Sequence, residues 1–374
     1  MINNNDAKHS MIFHIPWEIR VDRASASQIR PLKMIDAFEK IGYNVEKIVG
    51  NAKTRKEKIR QIKNNIKNGV RYDFLYSESS TFPTIIANSN KDAIKFPFID
   101  FRFFSFCHKK SIPIGLFYRD IYWRFSDFKV MKHSLKKYYY KFLYRFDLVC
   151  YNKYVDILYL PSLNMKDYLD YNLPEIKDLP PGCEKYDYKK SVVSDKINLL
   201  YVGGLGTHYN IDPLMKSASK NPHIHLFICC RKSEWEKKKE KYRSYLNDNI
   251  EIFHLKDDGL EKIYDKTDIG IIFIKKHVYW DFAMPLKLFE YLGHYKPVIC
   301  TNDTSVSAFI KRYDVGWSIS YNNSDFEKLL EKIIKKPGLI NDKQENIRKI
   351  INDHTWKARA SKVSSDLTDI GGES

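Results

Sequence analysis

A lysine and a glutamate near the start of one short predicted helix are the side chains best suited to chemistry in this chain. Residues 284–293 read Met-Pro-Leu-Lys-Leu-Phe-Glu-Tyr-Leu-Gly, and Pro285 fits a first helical turn, where its missing N–H has no partner to lose. Lys287 and Glu290 are three positions apart, so they project from one side of the helix as neighbours. The apolar residues that recur at helical spacing and can face a core are Leu288, Tyr291 and Leu292.

This helix suits a bound nucleotide. The start of the helix at Pro285 and Leu286 and the ammonium of Lys287 both attract phosphate. The carboxylate of Glu290 can accept hydrogen bonds from ribose hydroxyls. A solvent-exposed Lys–Glu pair on an ordinary helix is the alternative interpretation.

A glycine-rich loop follows a predicted strand in the second half of the chain. Residues 198–202 are strand-like, and Gly203, Gly204 and Gly206 follow them closely. Bare backbone N–H groups in such a loop can approach a diphosphate or a sugar. The Gly-Lys-Ser/Thr ending of a Walker A loop is missing, so a P-loop is excluded. A tight turn without a ligand is the alternative.

Polar side chains also follow other predicted strands. Arg231 comes just after the strand at 225–230, where a guanidinium could hold a phosphate with paired N–H donors. In a parallel sheet the strand ends share the carboxyl edge, where ligands bind. A structural cap is the alternative role for Asp120, and core packing is the alternative for His14. The candidates at strand ends and at the first helix of the first half are His14, Ser25, Ser27, Arg30, Glu78, Arg119 and Asp120.

Short apolar strands alternate with amphipathic helices, which predicts parallel sheets covered by helices. The prolines within residues 174–196 predict a hinge. We therefore expect an α/β protein with two Rossmann-like, doubly wound domains that face a central cleft. In the first half, strands are predicted at 11–15, 45–49, 73–76, 112–118 and 156–160, the last of that half, and helices at 27–41 and 55–68. In the second half, strands are predicted at 198–202, 225–230, 250–253, 269–274 and 298–301, with a final helix at 355–368.

Several segments, in a consistent order, resemble the retaining GT-B glycosyltransferases of the broad family 4 type. The helix at 284–293 and the Lys-Pro-Val-Ile that follows at 296–299 resemble the donor-binding helix of that family. The resemblance covers roughly residues 11–320. Its other parts are the first strand, loop and helix at 14–17 and 25–31, the hinge turn at 179–183, and the strand and glycine loop at 200–206.

The resemblance implies an acceptor domain over residues 1–180, a nucleotide-sugar donor domain over 181–354, and a helix over 355–374 that crosses back to the first domain. It implies transfer of a hexosyl unit from a nucleotide diphosphate sugar, with retention, to a saccharide or polyprenyl-diphosphate-linked acceptor. The acceptor or its diphosphate is expected to bind at His14, Ser25, Ser27, Arg30 and Arg119. Charge would develop on the departing β-phosphate, where Lys287 and Arg231 would stabilise it. No cofactor and no metal are implied, and the sequence has no convincing Asp-x-Asp motif.

One position departs from the family pattern. The family often has a glutamate that would fall near Phe282, before the glutamate matched by Glu290. Asp281 could bring its carboxylate to the same place as a sugar contact, or it could cap a loop.

Two alternatives follow for the whole chain: a non-catalytic partner subunit that keeps the fold, or a sugar-nucleotide epimerase of the same shape. An epimerase would need acid–base groups, for which the chain offers only His14, Glu78 and Asp120.

Composition limits what else the chain can be. Its 374 residues are 43% hydrophobic, enough for two domains with cores of their own. No apolar run approaches the ~18 residues that span a bilayer. Residues 1–6 show neither a basic nor an apolar signal region, so a cytoplasmic protein is expected. The six cysteines form no C-x-x-C pair, so they are expected to be reduced and structural, without a zinc site.

The formal net charge of +17 predicts an anionic partner. Residues 129–145 mix basic and aromatic side chains, which suits the headgroup layer of an anionic membrane. With a lipid-linked acceptor, this predicts a peripheral protein on the inner face of the membrane, in capsule or O-antigen assembly. A partly buried helix with snorkelling lysines is the alternative. No nucleic acid is expected, because zinc-finger spacing and aromatic RNA-binding motifs are missing. The basic residues are Lys132, Lys136, Lys137, Lys141 and Arg145.

Overall fold

The computed structural model describes residues 9–20, 26–87, 95–125, 134–191, 196–206, 209–255 and 258–372. The chain divides into two compact units. Unit 1 comprises Met1–Pro180 and Trp356–Ser374, and unit 2 comprises Pro181–Thr355. Each unit is built around its own six-stranded sheet.

Unit 1 contains a parallel sheet whose middle strands are buried along their whole length, as in sheets covered on both faces. Its strands are β1 (Ser10–His14), β2 (Asn44–Ile48), β3 (Leu75–Glu78), β4 (Ile114–Phe117), β5 (Ile157–Leu160) and β6 (Glu175–Asp178). They lie in the order β2-β1-β3-β4-β5-β6. The helices in the first 180 residues of this unit are α1 (Ala26–Lys40), α2 (Ala52–Lys67), α3 (Ile99–Lys109) and α4 (Ser134–Tyr154). Short 3₁₀ helices lie at Thr84–Ile86, Tyr122–Arg124 and Leu163–Tyr168.

Unit 2 contains a second parallel sheet, whose strands lie in the order β12-β11-β10-β7-β8-β9. Its strands are β7 (Ile197–Val202), β8 (Ile224–Cys229), β9 (Ile250–Phe253), β10 (Ile269–Ile272), β11 (Val298–Thr301) and β12 (Gly316–Ile319). Its helices are α5 (Asp212–Lys220), α6 (Lys232–Glu236), α7 (Lys239–Tyr242), α8 (Asp258–Lys266), α9 (Leu286–Gly293), α10 (Ser305–Tyr313), α11 (Asn323–Lys335) and α12 (Gly338–Ile350). Short 3₁₀ helices lie at Arg243–Tyr245, Val278–Asp281 and Ile351–His354.

The last helix, α13 (Trp356–Gly372), belongs to unit 1, where it packs along α1 and against β4. Gly115 on β4 leaves room for it, because a Cβ at Gly115 would lie 2.9 Å from the side chains of both Leu367 and Tyr159. The hydroxyl of Tyr159 donates to Asp366 on α13 at 3.0 Å. This contact and the packing fix the helix within unit 1.

The structure confirms the predicted strands and helices to within a few residues, but two edge strands were not predicted. β6 lies inside the segment interpreted as a hinge, so the strand at 156–160 is not the last of the first half. β12 was also missed. Both strands are short, and neither is buried along most of its length, so no continuous apolar run marks them. Pro285 is also placed differently: it precedes α9 with an extended backbone instead of lying within its first turn.

The cysteines are free and buried, as expected for structural thiols. Within the described residues, every helix is too short or too polar to serve as a transmembrane span.

Candidate functional site

In unit 2 the candidate residues gather where the strand order reverses. β7 pairs with β8 on one side and with β10 on the other, so the chain leaves these strands in opposite directions. In open α/β sheets, ligands bind at this point, outside the carboxyl ends of the strands. The glycine loop at 203–206 follows β7, and α9 follows β10. Both predicted donor-binding segments therefore lie at the switch point of one sheet.

Tyr291 fastens α9 to this sheet. Its hydroxyl accepts the N–H of Val202 at 3.0 Å and donates to the carbonyl of Leu200 at 3.0 Å. The β7–β10 ladder extends only to Leu200, so the tyrosine hydroxyl replaces the strand pairing beyond it. The ring lies over Gly270 on β10, where a Cβ would overlap it. These contacts hold the start of α9 beside the glycine loop.

Lys287, one turn before Tyr291, carries a buried ammonium without a partner. Its Nζ is buried and makes no hydrogen bond, although the residue as a whole is partly accessible. It lies 4.7 Å from the ring centroid of Tyr201 and 5.8 Å from that of Tyr209, as a cation–π contact to both. Burial lowers the pKa of Lys287 to about 8, against the opposing influence of Glu290. An unpaired buried cation is a place where an anion is expected.

The glycine loop lies directly against this ammonium. The position of a Cβ at Gly203 lies 3.4 Å from Nζ of Lys287, an ordinary contact distance, so the loop backbone adjoins the ammonium. The hydroxyl of Tyr201 donates to the carbonyl of Gly204 at 2.7 Å and braces the loop. Nothing lies within 4 Å of the position of a Cβ at Gly206. The loop thus combines backbone N–H groups with one cation, the composition of a phosphate site.

Arg231 is near the loop but is engaged elsewhere. Its Nη1 donates to Glu234 at 2.9 Å, and its side chain is 66% exposed. The other oxygen of Glu234 accepts the N–H of Leu205 at 2.7 Å, so a carboxylate already binds this part of the loop. Burial raises the pKa of Tyr209, on which Arg231 and Glu234 act with opposite signs. Arg231 as a phosphate contact therefore remains a prediction.

Glu290 and Asp281 flank α9. Glu290 is partly buried on α9, one turn beyond Lys287. Asp281 ends the 3₁₀ helix before α9, and its main-chain carbonyl accepts the hydroxyl of Ser305 at 2.6 Å. Leu286 is the first residue of α9. Their contacts to nucleotide or sugar remain predictions.

In unit 1, His14 belongs to a closed structural cluster. The imidazole is fully buried, and burial lowers its pKa. Its Nε2 lies 3.0 Å from Oδ1 of Asp100, and its Nδ1 shares a hydrogen bond with the hydroxyl of Ser77 at 2.8 Å. Arg55 forms a bidentate pair with Asp100, with both N···O distances 2.8 Å. Every ring nitrogen is occupied, which favours the packed role of His14.

A second cluster joins Arg30 and Arg119 through one buried carboxylate. Arg30 donates to Oε1 of Glu78 at 3.1 Å, and Arg119 donates to Oε2 of Glu78 at 3.1 Å. Glu78 ends β3 and Arg119 follows β4, so both lie at the carboxyl edge of the sheet. Ser27, on the first turn of α1, is partly buried. Ser25 lies outside the described residues.

Asp120, next to Arg119, is buried, and burial raises its pKa to about 6. Its Oδ2 accepts the hydroxyl of Thr81 at 3.2 Å. At neutral pH the carboxylate is mostly ionised and has a pKa suited to proton transfer. The structure is thus compatible with both of its predicted roles, as a reacting group and as a local cap.

Sequence reasoning missed the residues that position these groups. Tyr291 was assigned only to the core, and Tyr201, Trp17 and Arg55 were not singled out. Their signal in the sequence is weak, because a tyrosine within a strand or a tryptophan after one usually marks packing. The described residues include no group of three or more histidine, cysteine, aspartate or glutamate side chains that could hold a metal ion.

Comparisons with known proteins agree with this architecture. Residues 184–351 match the family model of the glycosyl transferases group 1. No curated protein matches the chain significantly. Sucrose-phosphate synthase from Thermosynechococcus elongatus superposes with a TM-score of 0.67 at 12% identity, covering 98% of this chain and 100% of that one.

Two further solved structures are similar over nearly the whole chain. HepE from Anabaena, in complex with UDP and glucose, has a TM-score of 0.62 at 9% identity, covering 96% of this chain and 100% of that one. WaaG, a glycosyltransferase involved in lipopolysaccharide biosynthesis, has a TM-score of 0.59 at 13% identity, covering 96% of this chain and 100% of that one. Identities this low establish the fold alone, which is the predicted α/β fold with two sheets. The family match covers most of unit 2, and the likeness in fold covers nearly the whole chain.

Proposed function

We propose that this chain is a retaining hexosyltransferase that uses a nucleotide diphosphate sugar as donor and a saccharide or lipid-linked saccharide as acceptor. We place it in the assembly of a surface polysaccharide such as capsule or O-antigen. The observation that carries the proposal is the buried, unpaired ammonium of Lys287 against the bare backbone of Gly203, within the segment that matches the family model.

The reaction breaks the bond between the anomeric carbon and the β-phosphate oxygen, and forms a bond from that carbon to an acceptor hydroxyl. Negative charge grows on the departing diphosphate. Lys287 and the N-terminus of α9 are the groups of unit 2 that stabilise it, because a preorganised cation acts strongly in a site that excludes water. Glu290 is assigned to ribose, Asp281 to the sugar, and Arg231 to phosphate once it leaves Glu234. Asp120 of unit 1 is assigned to the acceptor hydroxyl, whose proton it accepts as the oxygen bonds to the anomeric carbon. The transfer needs no metal or other cofactor.

A uridine nucleotide is the first donor class to test. Four of the similar structures contain one: HepE in complex with UDP and glucose, HepE in complex with UDP, HepE in complex with UDP-glucose, and an E. coli trehalose-6-phosphate protein bound with UDP-2-fluoro glucose. The base and the sugar used by this chain follow from a panel of UDP-, GDP- and dTDP-sugars, screened by thermal shift and by release of the nucleoside diphosphate.

The key variant is Lys287→Met, which removes the ammonium but keeps a long apolar side chain. We expect it to fold and to lose transfer, while Lys311→Met, at an exposed position on α10, keeps transfer. Epimerised donor without release of nucleoside diphosphate would instead identify an epimerase. Tight donor binding without turnover, in every acceptor mixture, would identify a non-catalytic subunit. Full activity in Lys287→Met would refute the assigned site.

We also propose that the protein binds the inner, cytoplasmic face of an anionic membrane through α4. One face of α4 packs in unit 1 through buried residues such as Tyr144 and Tyr151. The opposite face carries large apolar side chains that are 53–85% exposed: Leu135, Tyr138, Tyr139, Phe142 and Val149. These positions recur at helical spacing, as in helices that lie in the headgroup layer. Four basic residues of the predicted segment belong to the same helix, Lys136, Lys137, Lys141 and Arg145, whereas Lys132 lies outside the described residues.

Vesicle sedimentation tests this face. Replacing the four basic residues of α4 by Gln should remove the salt-sensitive part of vesicle binding, because each one near an anionic surface contributes on the order of 1 kcal/mol. Replacing Tyr138, Tyr139 and Phe142 by Ser should remove the part of binding that resists high salt. The matched control changes four exposed lysines at the end of α11, Lys328, Lys332, Lys335 and Lys336, to Gln. Equal losses in the control and in the α4 variant would refute the assignment.

A further inference from the structure

We infer that unit 1 contains an anion site of its own, formed by Trp17, Arg30 and Arg119, which binds a phosphate group of the acceptor. The identification of the anion with the acceptor rests on the proposed function. The site itself rests on hydrogen-bond donors that the fold has buried without partners.

Arg30 is the first of these donors. The residue is 3% exposed, and its Nε and Nη2 donate to Glu78 and to the hydroxyl of Tyr76. Its Nη1 is buried and has no hydrogen-bond partner. The guanidinium stacks on Phe117, with Cζ 3.6 Å from the ring centroid, so its plane is held in place. A buried N–H without a partner is unfavourable, which points to a ligand that accepts its hydrogen bond.

Trp17 supplies a second unpartnered donor at the same edge of the sheet. Trp17 is 8% exposed, and its indole Nε1 is also buried without a partner. Arg119 lies beside it, with Cζ 5.5 Å from the indole ring, and its side chain is 12% exposed. Nη2 of Arg119 donates to Glu78, the carboxylate that also binds Arg30. Glu78 therefore links the two guanidinium groups, and Trp17 adjoins one of them.

The topology explains why these side chains meet. Trp17 follows β1, Glu78 ends β3, and Arg119 follows β4. β1 pairs with β2 and β3, so the strand order reverses beside β1, where α/β sheets bind ligands.

The neighbouring cluster around Arg55 in unit 1 contrasts with Arg30, because all nitrogens of its guanidinium have partners. There, Arg55 uses Nε and Nη2 for Asp100 and Nη1 for the carbonyls of Pro16 and Gly50. That guanidinium has a partner on each nitrogen and needs no ligand. The unpartnered Nη1 of Arg30 is thus not a general feature of buried arginines in this unit.

The chemistry of the donors selects a hydrogen-bond acceptor. Guanidinium and indole N–H groups cannot accept hydrogen bonds, so the group that completes Nη1 of Arg30 and Nε1 of Trp17 must supply acceptor oxygens. Paired N–H donors of arginine match phosphate oxygens especially well. The donor diphosphate already has Lys287 and the glycine loop in unit 2. A phosphate in unit 1 is therefore assigned to the acceptor, carried either by a lipid-linked diphosphate or by a soluble sugar phosphate.

The test is a calorimetric titration of inorganic pyrophosphate into the full chain, with and without saturating UDP. We expect the UDP-saturated protein to bind pyrophosphate, and Lys287→Met without UDP to retain that binding. Trp17→Phe removes the indole N–H while keeping an aromatic ring, and it should weaken the binding of pyrophosphate several-fold. Arg119→Gln should weaken it by about tenfold or more, and Arg119→Lys should restore part of the loss. Affinity for UDP should be unchanged in all three variants.

Trp123→Phe is the matched control, since its indole N–H in the same unit already donates to Tyr118 at 3.0 Å. It should bind pyrophosphate as the wild type does. Competition then separates the sources: displacement by farnesyl diphosphate supports a lipid-linked acceptor, and displacement by glucose 1-phosphate alone supports a soluble one.

Two results would overturn the inference: no pyrophosphate binding to the UDP-saturated chain, or equal binding in wild type, Trp17→Phe and a folded Arg119→Gln. Failure of the proposed function is distinct. If no nucleotide sugar or UDP binds, but pyrophosphate binds and is weakened by Arg119→Gln, the donor assignment fails and the anion site of unit 1 stands.

Discussion

Lys287 should take up a proton when a nucleoside diphosphate binds. In the free protein, burial lowers the pKa of its ammonium to about 8, because the loss of hydration outweighs the attraction of Glu290. A diphosphate bound beside the ammonium favours the charged form and should return its pKa to the ordinary range of lysine or above. At pH values near 8, binding therefore converts neutral Lys287 to the cation.

The size of the effect follows from the pKa. A group with a pKa of about 8 is about half deprotonated at pH 8 and about one-tenth deprotonated at pH 7. Binding of UDP should thus take up about half a proton at pH 8 and about a tenth at pH 7. Affinity for UDP should fall as pH rises above 8, since the neutral amine must first be protonated.

The lowered pKa of Lys287 also makes the stability of the free protein depend on pH. A lysine pKa lowered from 10.5 to about 8 disfavours the charged form in the folded state by about 3 kcal/mol. The unfolded chain binds the proton more tightly, so this cost is full below pH 8 and disappears as pH rises towards 10.5. Lys287→Met should therefore melt at a higher temperature than wild type at pH 7, and this advantage should shrink at higher pH.

Calorimetry of UDP binding in two pH 8 buffers with different ionisation enthalpies measures the proton uptake directly. Wild type should show the uptake, and Lys287→Met should lack it together with most of the affinity. Lys311→Met is the control for the loss of one lysine. Proton uptake of the same size in Lys287→Met, or none in wild type, would show that this ammonium does not meet the phosphates.

Three further predictions, made with four variants, test the elements around the two sites. Tyr291→Phe leaves two backbone groups of β7 without the hydroxyl, and we expect it to lower the free energy of unfolding in urea by about 1–3 kcal/mol and to weaken UDP binding. Gly270→Ala should displace that ring and lower the melting temperature, whereas Gly206→Ala, with open space around the new methyl group, should not. Transfer by the wild type should rise through about pH 6 as Asp120 ionises, and Asp120→Asn should be slow without that step; an unchanged pH profile in the variant would contradict a reacting role.

Local patterns in the sequence were enough to predict the architecture. Alternating apolar strands and amphipathic helices predict two parallel sheets, since each element must bury its apolar face. The helix at 284–293 could be predicted for the same reason, because Leu288, Tyr291 and Leu292 recur at helical spacing. All three side chains are fully buried in the structure. The edge strands β6 and β12 escaped prediction because edge strands expose one side and need no continuous apolar run.

The state of each candidate side chain was decided only by the tertiary structure. Lys287 could have been a surface lysine, and it is the packing of Tyr201 and Tyr209 around Nζ that buries it. The exposed apolar face of α4 likewise depends on which side packs in unit 1, which an aromatic-rich helix leaves undetermined.

The polar clusters of unit 1 show why local sequence patterns could not predict which side chains pair. Arg30 and Glu78 are 48 positions apart, and Arg55 and Asp100 are 45 apart. Local propensity and periodicity extend over a few residues, whereas these bonds depend on which strand ends the sheet order brings together. The sequence thus determined the elements and the residue types available for chemistry. The sheet topology decided which side chains pair, which stay buried without a partner, and hence where an anion can bind.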